Sequence, residues 1–283
     1  MRSDKQYWEW EIGPQSHWLG TSFRELVAYK DLLFGMVRKD FIGAYQQTLL
    51  GPFWMLFQPL LSVLVYVIVF NGIIGISTAG KPAFLFYLAG IIIWNFFSDL
   101  LLSNASVITA NAPIFNKVYF PRLITPLSLV LLQLIRLGIN LLLLAGVLFY
   151  FVLNGTVSPD WGNLPVLLPI ILIMAGFALG GGLVVSVLTA KYRDLTGLLQ
   201  LIVRLLMFVS PIFYTSKDVP AKWDWVVKFN PLAPLIDGFR SILLGIGSPE
   251  WFGLLYSFGL MMLLLLAGIM IFSKYIDRLL DVA

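Results

Sequence analysis

The side chains best placed to do chemistry are three charges inside long apolar runs: Asp99, Arg136 and Arg204. Such groups are costly in a membrane, and they mark either function or an internal pair. One arginine can pair with the aspartate and hold helices together. The other is then left over, lining a wet cavity or reaching toward the interface. The alternative is a positive collar for an anionic headgroup. A proton relay is not expected, because no chain of Asp, Glu and His crosses the apolar runs. Cysteine is absent and His17 is the single histidine, so no disulfide, thiolate site or metal cluster is expected. No G-x-x-x-x-G-K-[ST] loop occurs, and the one Gly-Lys pair, Gly80-Lys81, runs into Pro82. The apolar runs also lack H-E-x-x-H and carboxylates paired at helical spacing. The chain is therefore expected to be no enzyme, to hold no cofactor and not to hydrolyse ATP alone.

Such charges must be positioned by elements that live in lipid. Of 283 residues, 59% are hydrophobic and only 12% are charged, against roughly 25% in a soluble domain. Mean hydropathy is +0.88. These values exclude a soluble enzyme and a disordered chain. A net charge of +4 makes no dense basic face, so a nucleic-acid partner is excluded as well. The predicted class is all-α integral membrane, because backbone groups in lipid must be satisfied within the segment. The polar amino terminus has no apolar h-region, so no cleaved signal is expected and the first span serves as the insertion signal. About 20 apolar residues cross the hydrocarbon core. Six runs qualify: 54–76, 84–108, 126–153, 166–189, 198–215 and 251–273. The chain thus divides into an N-terminal tail with an interface helix (1–53), a six-span domain (54–273) and a short tail (274–283). Twelve Lys and Arg flank the spans on one side and five on the other. The richer side is predicted cytoplasmic, with both termini there.

Three regions are neither spans nor short loops. In 24–52, Leu26, Tyr29, Leu33, Val37, Phe41 and Tyr45 recur at helical spacing between charges. That pattern predicts an amphipathic helix in the membrane interface, either an anchor or a gate at the lipid edge. Segment 111–124 is Pro-bounded and polar, and predicts a short partner-docking helix or a simple connector. Segment 216–248 has Asn230-Pro231-Leu232-Ala233-Pro234 between short apolar runs at 226–229 and 235–244. It predicts two re-entrant half-helices, or an external loop with Trp223 and Trp225 at the headgroups.

Aromatic residues make up 15% of the chain. Those near span ends form ordinary interface belts. Mid-span Tyr66, Trp94 and Phe97 are not explained that way. They either pack against lipid or belong to a conduit whose ring faces meet sugar C–H groups. Conduit candidates are Trp54, Phe57, Tyr66, Phe70, Trp94, Phe97, Phe208 and Tyr214. Gly176, Gly180, Gly181, Gly182 and Ser186 cluster in the fourth run, and predict close packing within the chain more than a dimer face.

Several motifs in order give a resemblance. They are Arg24-Glu25-Leu26, Val37-Arg38-Lys39-Asp40-Phe41 and the run Tyr45-Gln46-Gln47-Thr48-Leu49-Leu50-Gly51-Pro52-Phe53-Trp54 leading to Gln58-Pro59. They continue with Lys117-Val118-Tyr119-Phe120-Pro121-Arg122, Lys191-Tyr192-Arg193-Asp194-Leu195, Pro211-Ile212-Phe213-Tyr214 and Asn230-Pro231-Leu232. Together they resemble the permease subunits of ABC-2-type polysaccharide exporters, the O-antigen and teichoic acid transporters, over nearly the whole chain. The resemblance implies a homodimer in the bacterial inner membrane. It implies two separate nucleotide-binding ATPase subunits that hold ATP and Mg, and export of a polymer on undecaprenyl pyrophosphate. It implies a headgroup gate at Arg24, Arg38, Lys39 and Tyr45. It implies ATPase coupling at Phe115, Lys117, Tyr119, Phe120 and Arg122, and an external gate at Asn230, Pro231, Pro234 and Arg240. The Trp-rich stretch 7–18 leans toward the O-antigen type. The alternatives are an ABC-2 permease for teichoic acid, capsule polymer or a small lipid or drug, an ion-driven secondary transporter, and a membrane enzyme acting on polyprenyl substrates. Against the secondary transporter, no repeat relates 54–153 to 166–273.

Overall fold

The computed structural model describes residues 23–46, 48–115 and 120–280. Hydrocarbon offers backbone groups no partner, so each apolar run closes its own hydrogen bonds. All regular structure among the described residues is helical. A short α1 (Phe23–Ala28) leads into α2 (Lys30–Tyr45). A 3-10 turn, Gly51–Phe53, opens α3 (Trp54–Tyr66), which continues as a π-helical stretch, Val67–Ile73. Then come α4 (Ala83–Ala105), α5 (Val107–Phe115) and α6 (Ile124–Leu153). A 3-10 segment, Trp161–Val166, feeds α7 (Leu167–Lys191), and α8 (Leu195–Val209) follows. Finally, α9 (Asp224–Phe229), α10 (Ala233–Leu244) and α11 (Trp251–Leu280) complete the chain.

Among the described residues, five segments are long and apolar enough to span a membrane: Gly51–Ile73, Ala83–Ala105, Ile124–Leu153, Trp161–Lys191 and Trp251–Ile276. The fifth predicted run, 198–215, differs. Its helix α8 has 15 residues, about 22 Å at 1.5 Å per residue, which falls short of a ~30 Å hydrocarbon core. The helix stops because Pro211 follows: Ser210 takes an extended ψ of 146°, as a residue before proline must. The second run ends earlier than 108. Ser106 breaks it with φ −103°, and its hydroxyl donates to the carbonyls of Leu102 and Ser103, in competition with the helix ladder. Of the segment 111–124, residues 111–115 end α5, Val107–Phe115, Ile124 opens α6, and 116–119 lie outside the described residues. The last helix runs on past 273 to Leu280.

At the centre, α4 touches α3, α6, α7, α8 and α10. Its chief partner α7 also packs along α11. The glycines make this possible. A Cβ on Gly180 would lie 2.7 Å from the Leu265 backbone, and one on Gly176 would overlap the Met261 side chain. A Cβ on Gly182 would lie 2.5 Å from that of Asn104 on α4. In return, Gly268 of α11 lies against the Gly180 carbonyl. The small-residue run is thus an intrachain seam with two sides, as its spacing predicts. Thr189 reinforces it by donating to the Ala105 carbonyl at 2.5 Å.

Gly180→Val is expected to cost at least about 2 kcal/mol, because the helix backbones cannot both stay in place. Gly259→Ala, with nothing within 4 Å, should leave the melting temperature unchanged or slightly raised. Thermal unfolding of the two detergent-solubilised variants checks this.

Candidate functional site

The first two turns of α3 meet α4 and α6 around a polar cavity of about 140 Å³ that Tyr45, at the end of α2, borders. Asp99 and Arg136 line it together. So do the carboxamides of Gln58, Asn95, Gln133 and Asn140 and the ring of Trp54. The Arg136 guanidinium carbon lies 5.7 Å from the Tyr45 ring centroid, within cation–π reach. Asn140 donates to the Arg136 carbonyl at 3.0 Å one turn away. The carboxamides were not singled out in the sequence, yet their spacing carries a signal. Asn95 and Asp99 are four apart, and Gln133, Arg136 and Asn140 are three and four apart, so each set shares one helix face. Arg204 does not join them and lies exposed on α8.

The predicted stripe on α2 is the buried one. Leu26, Tyr29, Leu33, Phe41 and Tyr45 are partly covered and Val37 is buried, while Arg38 and Lys39 are exposed. Arg24 lies on α1, with its side chain outside the described residues. At this end of the bundle a separate apolar cluster joins Val107, Ile108 and Phe115 of α5 to Phe120, Ile124, Leu183, Phe272 and Ile276. Leu26, Tyr29, Leu32, Leu33 and Met36 pack onto it. Phe115 and Phe120 stack at 5.7 Å. Arg122 donates to the Phe115 carbonyl at 2.9 Å and lies over the Phe115 ring. Lys117 and Tyr119 lie outside the described residues.

The aromatic candidates separate into two groups. Trp94 and Phe97 are 3% and 5% exposed and pack inside the protomer core. The conduit expectation is therefore corrected for these two: α4 is central, so its rings have no free face. Trp54, Phe57 and Phe208 are exposed on α3 and α8. Tyr66 and Phe70 reach α8 through Phe213, at ring separations of 4.9 and 4.2 Å, and Phe208 joins at 5.4 Å. Tyr214 turns back, donating to the Val209 carbonyl at 2.8 Å.

The residues expected to form an external gate make an extensive set of contacts. Arg240 is 2% exposed. It donates to the carbonyls of Pro211, Ile212 and Tyr214 at 2.5, 3.3 and 3.1 Å and pairs with Asp237 at 2.5 Å. Its guanidinium also lies 4.1 Å from the Phe86 ring centroid. Asp237 accepts from Ser216 as well. Asn230 donates to Ser210 at 3.0 Å, Ser257 donates to the Pro231 carbonyl at 2.6 Å, and Pro234 abuts Gly253. The 12-residue α10 is thus largely buried and pinned. Its companion α9 has only six residues, with Val227 as its buried one. On α9, Lys228 donates to Asp224 at 2.6 Å, which raises the lysine pKa above its ordinary value.

Arg240→Met is expected to destabilise the protein by about 3 kcal/mol or more, because Asp237 and three carbonyls lose their donor together. Arg240→Lys should recover only part of this, since one ammonium cannot match the guanidinium fork. Melting temperatures of both variants test the ordering.

Comparison with known proteins agrees with the architecture. The ABC-2 type transporter family matches residues 31–244. The O-antigen export system permease protein RfbA of Klebsiella pneumoniae is 29% identical over 246 residues, covering 86% of this chain and 92% of that protein. The protein of the same name from Myxococcus xanthus is 28% identical over 224 residues, covering 77% and 82%. With that match running from α2 to the end of α10, through the bundle, the polar cavity and the pinned half-helix, the chain belongs to the ABC-2 type transporter family of membrane permeases.

Proposed function

We propose that this chain is the membrane subunit of an ATP-driven exporter that moves undecaprenyl-pyrophosphate-linked O-antigen from the cytoplasm across the bacterial inner membrane. One observation carries the reading. The apolar cluster around Phe115 and Phe120 is shared by α5, the inner face of α1 and α2, and the last turns of α11. A push on α5 would therefore reach, through this cluster, the helix α2 that ends at Tyr45. Two nucleotide-binding subunits, which hold ATP and Mg, would supply that push near Phe115 and Arg122. The similarity to two O-antigen export permeases supports the choice of cargo.

In this reading both termini are cytoplasmic and the chain crosses six times. The fifth crossing is α8 completed by 210–215, which connects the end of α7 to the layer of α10. Arg38 and Lys39, exposed on α2, draw the pyrophosphate toward the leaflet, at about 1 kcal/mol per charge. Arg24 adds a third cation. A second copy covers the exposed faces of α3 and α8. Trp54, Phe57 and Phe208 then face a shared conduit, and Tyr66, Phe70 and Tyr214 continue it toward α10. Ring faces suit a moving glycan because they offer apolar contact without fixed hydrogen bonds.

Two outcomes are expected. The chain should co-purify with a P-loop ATPase in equal amounts, and recovery of the chain alone as an active transporter would refute the reading. Reversing both Arg38 and Lys39 to glutamate should cut surface polysaccharide at least about tenfold, given about 1 kcal/mol per charge, with chain abundance unchanged. Normal display in that double variant would remove the headgroup role.

A further inference from the structure

We propose that the cavity behind α2 is a sugar-ring subsite. It takes the hexose next to the pyrophosphate of the lipid carrier, and not the pyrophosphate itself. This rests on the export reading above and adds a ligand chemistry to its polar cavity.

The charge balance argues first. The cavity holds one guanidinium, Arg136, and one carboxylate, Asp99. A pyrophosphate entering it would gain one cation and meet one anion, for no net attraction. The exposed cations Arg38 and Lys39 are not among its lining residues. They lie six and seven residues from Tyr45 along α2, about 10 Å at 1.5 Å per residue. The two chemistries are therefore separated on one helix, with charge outside and neutral polarity within.

The donor and acceptor set argues second. Four carboxamides face the cavity beside Asp99 and Arg136. Each presents two donors and an acceptor. Vicinal sugar hydroxyls donate and accept at once, and such mixed groups match them where a phosphate, acceptor only, would not. Arg136 Nε and Asn140 Oδ1 are buried with no hydrogen-bond partner among the described residues. A donor and an acceptor are thus left open on one face of α6, one turn apart. Buried polar atoms of this kind normally have partners, and a hydroxyl satisfies either.

The apolar surface argues third. Tyr45 and Trp54 border the cavity from α2 and the start of α3. Their rings provide a platform for the C–H face of a hexose, while the amides read its edge. Tyr45 lies at the end of α2, whose Leu32, Leu33 and Met36 pack on the cluster around Phe115, so the platform travels with the gate. Closure of α2 would then grip the first sugar and its opening would release it.

The test measures binding to the full-length chain in lipid nanodiscs. One probe is undecaprenyl pyrophosphate carrying a single hexose, and the other is bare undecaprenyl pyrophosphate. The native chain should bind the hexosyl carrier at least about tenfold more tightly, as two or three extra hydrogen bonds imply. Asn140→Leu and Asp99→Asn should each bring the two carriers to within about twofold, the bare carrier being unaffected. Equal affinity of the native chain for both carriers would overturn the subsite and leave the export reading standing. A variant that weakens both carriers alike would overturn it too, marking the cavity as a pyrophosphate site. Failure of the native chain to bind either carrier would overturn both readings. If a variant loses its monodisperse elution, the comparison of carriers on the native chain alone decides.

Discussion

The fold depends on how closely α7 can approach its neighbours. Lipid is as apolar as leucine, so burial alone does not drive helices together within a membrane. What remains is contact between backbones, and contact needs small residues. Gly176 and Gly180 admit α11, and Gly182 admits α4. The central helix α4 is thereby held along its length and can carry Asp99 and Asn95 at fixed height beside Arg136. The seam fixes the α4 wall of the polar cavity, whose other sides are α3, α6 and the end of α2.

Much of this was legible in the chain itself. The apolar runs marked all five long spans to within about five residues at each end, and the helical stripe from Leu26 to Tyr45, expected to face lipid, is the covered side of α1 and α2. Glycine spacing anticipated an intrachain seam. These features are local, set by helical period and side-chain size. The misses came from two other sources. The ends of α4 and α8 were set by single residues, the Ser106 hydroxyl and the Ser210-Pro211 step, inside runs whose hydropathy does not change. Trp94 and Phe97 were placed by rotation of α4 within the bundle, which composition does not record.

The candidate site was half legible. Asp99 and Arg136 stood out because charge in an apolar run always does. Their amide neighbours share the same helix faces at spacings of three and four, but uncharged polar residues are common enough in spans to pass unremarked. Arg240 is a different case. Its charge is spent inside the protein, on Asp237 and on carbonyls that the Pro211 break leaves without helical partners. Likewise Asn230 and Pro231 are tied down by Ser210 and Ser257, so this part of the chain holds shape.

That dependence on Arg240 bears on how the protein is made. The carbonyls at 211, 212 and 214 find their donor 29, 28 and 26 residues further along. When α8 leaves the ribosome its far end is chemically unfinished, and it stays so until α10 has been synthesised and folded back. Membrane integration of this helix is thus not settled by its own hydropathy. It waits on a later segment, and the nascent chain must shelter three bare carbonyls in the interval.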